Sequence, residues 1–333
     1  MTIHTRRQLL GAAAAGTALG AIGLTRPAWA QQQPHELVKI VTGFPPGGTS
    51  DTLCRRLAEA LRGPYAKATT VENKPGAGGQ LALELMKIAP SDGTTILQTP
   101  ASMLMIYPYV YKKLNYNPFE DVTALSLAAT FGFGLAVGPM VPDSVKNVPD
   151  FIKWCKANPS QANYASPGAG SVPHFLGALL GMASGTDLKH VPFRGSQPAI
   201  LDLIGGQIAA VSAPEGEFFQ HVKAGKIRLL ATSGPTRSKF APDTPTYTEQ
   251  GYPTVVAREW FGLFLPGKPT ADVLQRANAA VRLALATPPV VDGLAVMGLI
   301  AESSTPAELA ATLKADYERW GPIVKQIGFT ADA

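Results

Sequence analysis

The chain has 333 residues, a formal net charge of +5 and 16% charged residues, below the quarter usual for globular domains. That length suggests about two domains, and the absence of any run of basic residues excludes a polybasic nucleic-acid face. Cys54 and Cys155 form no C-x-x-C spacing, and the histidines at 4, 35, 174, 190 and 221 form no zinc motif, so no metal is expected.

Arg6-Arg7-Gln8-Leu9-Leu10 precedes the apolar run GAAAAGTALGAIGLT and then Ala28-Trp29-Ala30. A basic start, an apolar centre and an A-x-A site read as an export signal cleaved after Ala30, not as a membrane span. The paired arginines suggest the twin-arginine route. Gln31 follows the site where a lipid anchor would need cysteine, so an unanchored periplasmic protein is expected. Cleavage would remove three arginines and lower the charge from +5 to about +2.

The strand-like run LVKIVTGF stops at Pro45-Pro46-Gly47-Gly48, and Thr49-Ser50-Asp51 opens the helical pattern TLCRRLAEALRG. A helix start leaves backbone N–H groups unpaired and carries partial positive charge, so this turn is a candidate anion site. It lacks the lysine of a phosphate loop and any G-x-G-x-x-G, and no nucleotide or other cofactor is expected. The plainer alternative is a simple strand-to-helix turn with Thr49 as N-cap. Leu53, Leu57 and Leu61 mark the buried stripe of the helix, which favours a buried free Cys54 over a disulfide to Cys155.

VENKPGAGG is a second glycine turn, read chiefly as the entry to the helix QLALELMKIA. TTILQTPASMLM gives a strand ending at Gln98, with Thr99 and Ser102 at its carboxyl end. The segment YPYVYKKLNYNPF, with Tyr107, Tyr109, Tyr111 and Tyr116, reads as a packed connection before a ligand-facing or permease-facing patch. A strand at 162–166 leads through Ser166-Pro167-Gly168-Ala169-Gly170-Ser171 to a helix from about Pro173. Another at 188–193 leads through Arg194-Gly195-Ser196 to a helix from about Pro198. Arg194 is a fixed cation that either pairs a ligand carboxylate or points to solvent. A Pro/Thr-rich stretch, SGPTRSKFAPDTPTYTEQGYP, precedes the strand VVAREWFGLFLP, in which Trp260 either lines a cleft or fills a hinge core. Three helical segments follow: ADVLQRANAAVRLALAT, PVVDGLAVMGL and PAELAATLKADYERWGPIVKQIG.

Strands alternating with helices predict parallel sheets, whose ligands sit beyond the strands' carboxyl ends. The order suggests an α/β, two-lobed periplasmic binding protein fold, type II-like, with two sheets flanked by helices. Residues 35–134 and 257–333 would form the first domain and 135–256 the second. Crossing strands near 131–139 and 255–265 would form the hinge. The cleft would carry a glycine anion turn on each wall.

From Val38 to about Val324 the chain resembles the periplasmic receptors of tripartite tricarboxylate transporters, the Bug receptors. The resemblance rests on FPPGGTSDTLCRRLAEAL, VENKPGAGG, APSDGTTIL, YASPGAGSVPHFLGALL, HVPFRGSQPAILDLIGGQI, HVKAGKIRLLATSG and PTYTEQGYP, in that order. It implies capture of a small organic carboxylate for membrane permease subunits, by backbone N–H groups, hydroxyls and waters. It matches Gly47, Gly48, Thr49 and Asp51 on one wall with Ser166, Gly170, Ser171 and His174 on the other. Together with Pro46, Thr99, Ser102, Arg194 and Gly195 these are the candidate ligand-binding residues. A monomer is expected.

The family often places an acid on the cleft side of the strand after DLIGGQI, where this chain has Ser212 and Ala213, which leaves only Glu215 or Glu217 beyond. Asp51 is spaced to pair Arg55. A ligand without an ammonium group is therefore expected, an aromatic monocarboxylate or an aliphatic di- or tricarboxylate. The rival class is a hydrolase or lyase using Ser171 and His174, but GAGSVPH lacks the G-x-S-x-G elbow.

Overall fold

The computed structural model describes residues 33–331, and the export signal expected at residues 1–30 lies outside them. The chain runs β1 (His35–Thr42), α1 (Thr49–Leu61), β2 (Ala66–Asn73), α2 (Gln80–Met86), β3 (Thr95–Pro100), α3 (Ser102–Met105), α4 (Tyr107–Val110) and β4 (Val122–Val137). It continues through α5 (Val148–Ala157), β5 (Asn163–Ser166), α6 (Val172–Ser184), β6 (Lys189–Pro192), α7 (Ser196–Ile204), β7 (Ala210–Pro214), α8 (Phe219–Lys223) and β8 (Arg228–Thr232). It ends with β9 (Arg258–Pro266), α9 (Ala271–Leu285), α10 (Pro288–Ala295), β10 (Ile300–Ala301) and α11 (Pro306–Ile327).

Side-chain periodicity accounts for these elements. Leu53, Leu57 and Leu61 recur every fourth residue on α1 and are buried, as are Val38 and Ile40 of β1 at strand spacing. Caps fix the helix starts: the Ser171 hydroxyl accepts from the backbone N–H of His174, and Thr305 with Glu308 forms a full capping box on α11. Cys54 and Cys155 are both buried free thiols.

The strands follow the order β2-β1-β3-β9-β4-β7-β5-β6, with β8 and β10 also paired to β4. The β1 pairings with β2 and β3 are parallel, as are those of β5 with β6 and β7. Those of β9 and β4 are antiparallel. The two expected sheets are therefore joined through one strand. β4, 16 residues long, pairs with β9 as far as Gly132 and with β7 from Phe133 onward. β9 starts at Arg258 rather than Val255. The N–H groups of Val255 and Ala257 are spent on Tyr252 and Ser233 carbonyls instead of a ladder. After β9 the chain returns to the first lobe: β10 pairs with Ala129 and Thr130, α10 packs on α1, and α11 packs on β4.

Ser233 fastens the two crossings together. Its N–H donates to the Phe133 carbonyl (2.9 Å), and its carbonyl accepts from Ala257 (3.0 Å). Its hydroxyl accepts from the Phe133 N–H (2.9 Å) and donates to the Ala257 carbonyl (2.6 Å). The residue is fully buried, so no water can replace a lost partner. Ser233→Ala should destabilise the fold by about 2 kcal/mol, from the orphaned Phe133 and Ala257 groups. Chemical denaturation should show a lower midpoint with unchanged slope.

Candidate ligand-binding site

The first glycine turn holds a carboxylate, and it is the protein's own. Gly48 is the extended N-cap of α1 and supplies no side-chain cap. The backbone N–H and hydroxyl of Thr49 both donate to Glu217 Oε1, at 3.0 and 2.8 Å. Glu217 follows β7 in the second lobe, and its Oε2 accepts from Gln197 Nε2 at 3.1 Å. Thr49 is thus not the N-cap: the helix begins at Thr49, and its hydroxyl reaches across the cleft. Asp51 braces the turn from within. It accepts from the Gly47 N–H (3.0 Å), Arg55 Nε (2.8 Å) and Asn73 Nδ2 (3.0 Å). Burial alone would raise its pKa, but these hydrogen bonds outweigh it and hold the carboxyl below its ordinary value.

The second turn is braced by histidines. His174 Nδ1 accepts from the Gly170 N–H at 3.1 Å, and His190 Nε2 lies 2.8 Å from the Ser166 hydroxyl. The two imidazoles stack with centroids 3.8 Å apart. Burial lowers the His174 pKa to about 2, with a further contribution from His190, whose own value burial lowers to about 4. Ser171 Oγ donates to the Gly168 carbonyl at 2.7 Å while capping α6. The Gly170 N–H, expected to meet the ligand, is therefore committed to an imidazole.

Between the turns lies a cavity of about 50 Å³. One side is built from helix starts: Gly48, Thr49 and Ser50 of α1, Ser171 of α6, and Ser196 and Gln197 of α7. The floor is sheet, with Phe131 and Phe133 of β4 beside Glu259 and Phe261 of β9. Glu259 pairs with Phe131 across the strands, and residues two apart share a face. Glu259 accepts from the Ser102 N–H at 2.6 Å. Tyr107 lines the cavity too, and its hydroxyl donates to the Gly78 carbonyl at 3.0 Å, which ties VENKPGAGG to the cleft wall.

Of the residues expected to contact ligand, Gly48, Thr49, Ser102 and Ser171 line this cavity. Pro46, Gly47, Asp51, Thr99, Ser166, Gly170, His174, Arg194 and Gly195 do not. Most of these shape the turns; Arg194 is exposed. Gly195 has φ +106°, and a Cβ there would lie 2.7 Å from Pro45 of the facing lobe. Trp260 points away from the cavity floor and donates to Asp316 at 2.8 Å. Sequence reasoning named Glu217 only as an acid of open orientation and missed Glu259 and the phenylalanines. Alternation along REWFGLFLP placed Glu259 and Phe261 on one face and Trp260 on the other, a signal that was available. Glu215 turns instead to Ser238. Among the described residues no cluster of His, Cys, Asp and Glu suits a metal, and no helix is long and apolar enough to cross a membrane.

Both acids of the cavity carry raised pKa values. Burial raises Glu217, against hydrogen bonds from Thr49, Gln197 and Ser196. Burial raises Glu259 from 4.5 to about 7, opposed by Ser102 and reinforced by Asp316. An acid whose pKa is higher in the fold contributes stability that is complete below the unfolded value. That stability is lost as pH rises through the folded value. For Glu259 the loss runs from near 4.5 to about 7 and is on the order of 3 kcal/mol. Glu259→Gln, which keeps an acceptor for Ser102, should melt higher than the parent at pH 8. The gap should close at pH 4.5, as scanning calorimetry at both values would show.

A model of the "Tripartite tricarboxylate transporter family receptor" matches residues 53–329. Protein BugT of Bordetella pertussis is 28% identical over 94% of this chain and 96% of its own. The R. palustris protein Rpa4515, solved with adipate, superposes with TM-score 0.85 at 25% identity over 91% of this chain and all of that one. MatC from Rhodopseudomonas palustris, solved with bound malate, gives 0.80 at 27% identity over 88% of this chain and all of that one. The architecture is thus the two-lobed α/β fold of periplasmic binding proteins, and the chain belongs to the receptor family of the tripartite tricarboxylate transporters.

Proposed function

We propose that the protein is a periplasmic receptor that captures a small organic carboxylate between its lobes and delivers it, unchanged, to membrane permease subunits. The observation that carries this reading is the convergence of the α1, α6 and α7 starts on one interlobe cavity. Helix starts favour negative charge through their unpaired N–H groups and their dipoles. The carboxylates bound by Rpa4515 and MatC, proteins of the same fold, support the ligand class.

Entry requires the lobes to part. Tyr111 donates to the Ala169 carbonyl at 3.2 Å across the cleft, and the Thr49–Glu217 hydrogen bonds close it on the other side. Domain closure around the ligand follows the hinge pattern of such folds.

Calorimetry against a panel of mono-, di- and tricarboxylates should give one ligand per chain, recovered intact by NMR. Conversion of the ligand would favour a hydrolase or lyase instead. Gly168 lines the cavity, and a Cβ there would lie 3.4 Å from the Tyr107 hydroxyl. Gly168→Val should keep the fold and weaken binding at least tenfold, about 1.4 kcal/mol.

A further inference from the structure

We infer that the ligand is a zwitterion, a carboxylate that also carries an organic ammonium, and that Glu259 with the phenylalanine floor receives the ammonium. This inference rests on the receptor reading above. It reverses the expectation drawn from Asp51 and Ala213.

Two carboxylates line the cavity, Glu217 and Glu259, each 4% exposed. Among the described residues, no lysine, arginine or histidine lines it with them. Their surroundings differ. Glu217 bridges the starts of α1 and α7 and accepts from the Thr49 N–H, the Thr49 hydroxyl and Gln197. With the Ser196 hydroxyl, two helix dipoles and four donors offset its charge. Glu259 lies on the sheet floor, and its hydrogen bonds come from one residue, the N–H and the hydroxyl of Ser102. Its cross-strand partner is Phe131, with Phe133 and Phe261 on the same face. Phe131 and Phe261 have centroids 4.4 Å apart, and Phe131 and Phe133 5.4 Å.

A buried carboxylate without a cation is costly, and adjoining aromatic faces attract an organic cation. The cavity thus has a polarity: helix starts along one side, an acid framed by phenyl rings on the floor. A polycarboxylate would bring a second negative group toward Glu259. A zwitterion matches both ends at once.

The test compares chain-matched acids on the mature protein by calorimetry: 6-aminohexanoate, hexanoate and adipate, then phenylalanine and 3-phenylpropanoate. The expected result is that, in at least one set, the ammonium-bearing acid binds tenfold or more tightly than its ammonium-free partner. Glu259→Gln, verified as folded by its melting curve, should erase that preference. Tighter binding by adipate, or equal binding within both matched sets, overturns the inference and leaves the carboxylate receptor standing. A preference that survives in Glu259→Gln overturns the assignment of the residue. Binding of no acid in the panel overturns both readings.

Discussion

A carboxylate from one lobe sits on the helix start of the other. Glu217 accepts both donors of Thr49, and this link sets much of what surrounds the cleft. It holds the Pro45–Gly48 turn against Gly195, and it brings the starts of α1 and α7 to one point. Its reach depends on β7, which is positioned by pairing with the distal part of β4. The proximal part of β4 pairs with β9. One long strand thus indexes both walls, and Ser233 fixes the crossing beside it. The self-made contact also shows what the turn can hold: a carboxylate oxygen at hydrogen-bond distance from a helix N-terminus.

The alternation of strands and helices was legible because periodicity and turn residues act locally. The helices at 172–184, 271–285 and 306–327 begin within a residue or two of their expected starts. The glycine turns were legible for the same reason. Roles within the site were less so, because they depend on partners far away in the chain. Thr49 looked like a cap until Glu217, 168 residues on, claimed its hydroxyl. His174 and Gly170 looked like ligand contacts, yet they bond to each other. Arg194 is next to Gly195 in sequence but faces solvent. Glu259 escaped notice because it was read as part of a hinge strand rather than by the face it shares with Phe261.

The cavity concentrates destabilising features that a core would not keep. Two carboxylates are buried there without a cation among the described residues, and the residues around Gly195 pack lobe against lobe with no room for a side chain. Sites of function commonly carry such costs, offset by the packing elsewhere. Here the offset comes from a sheet whose central strands are buried along most of their length.

The stacked His174–His190 pair has a consequence for how the second wall behaves in changing surroundings. Burial holds both imidazoles neutral far below their ordinary titration range. The acceptor that His174 offers the Gly170 N–H therefore persists from mildly acidic to alkaline solution. Histidine, usually the residue that makes a protein respond to acid, serves here as a rigid aromatic strut. The glycine loop it supports keeps one shape while the charge of the medium around it varies.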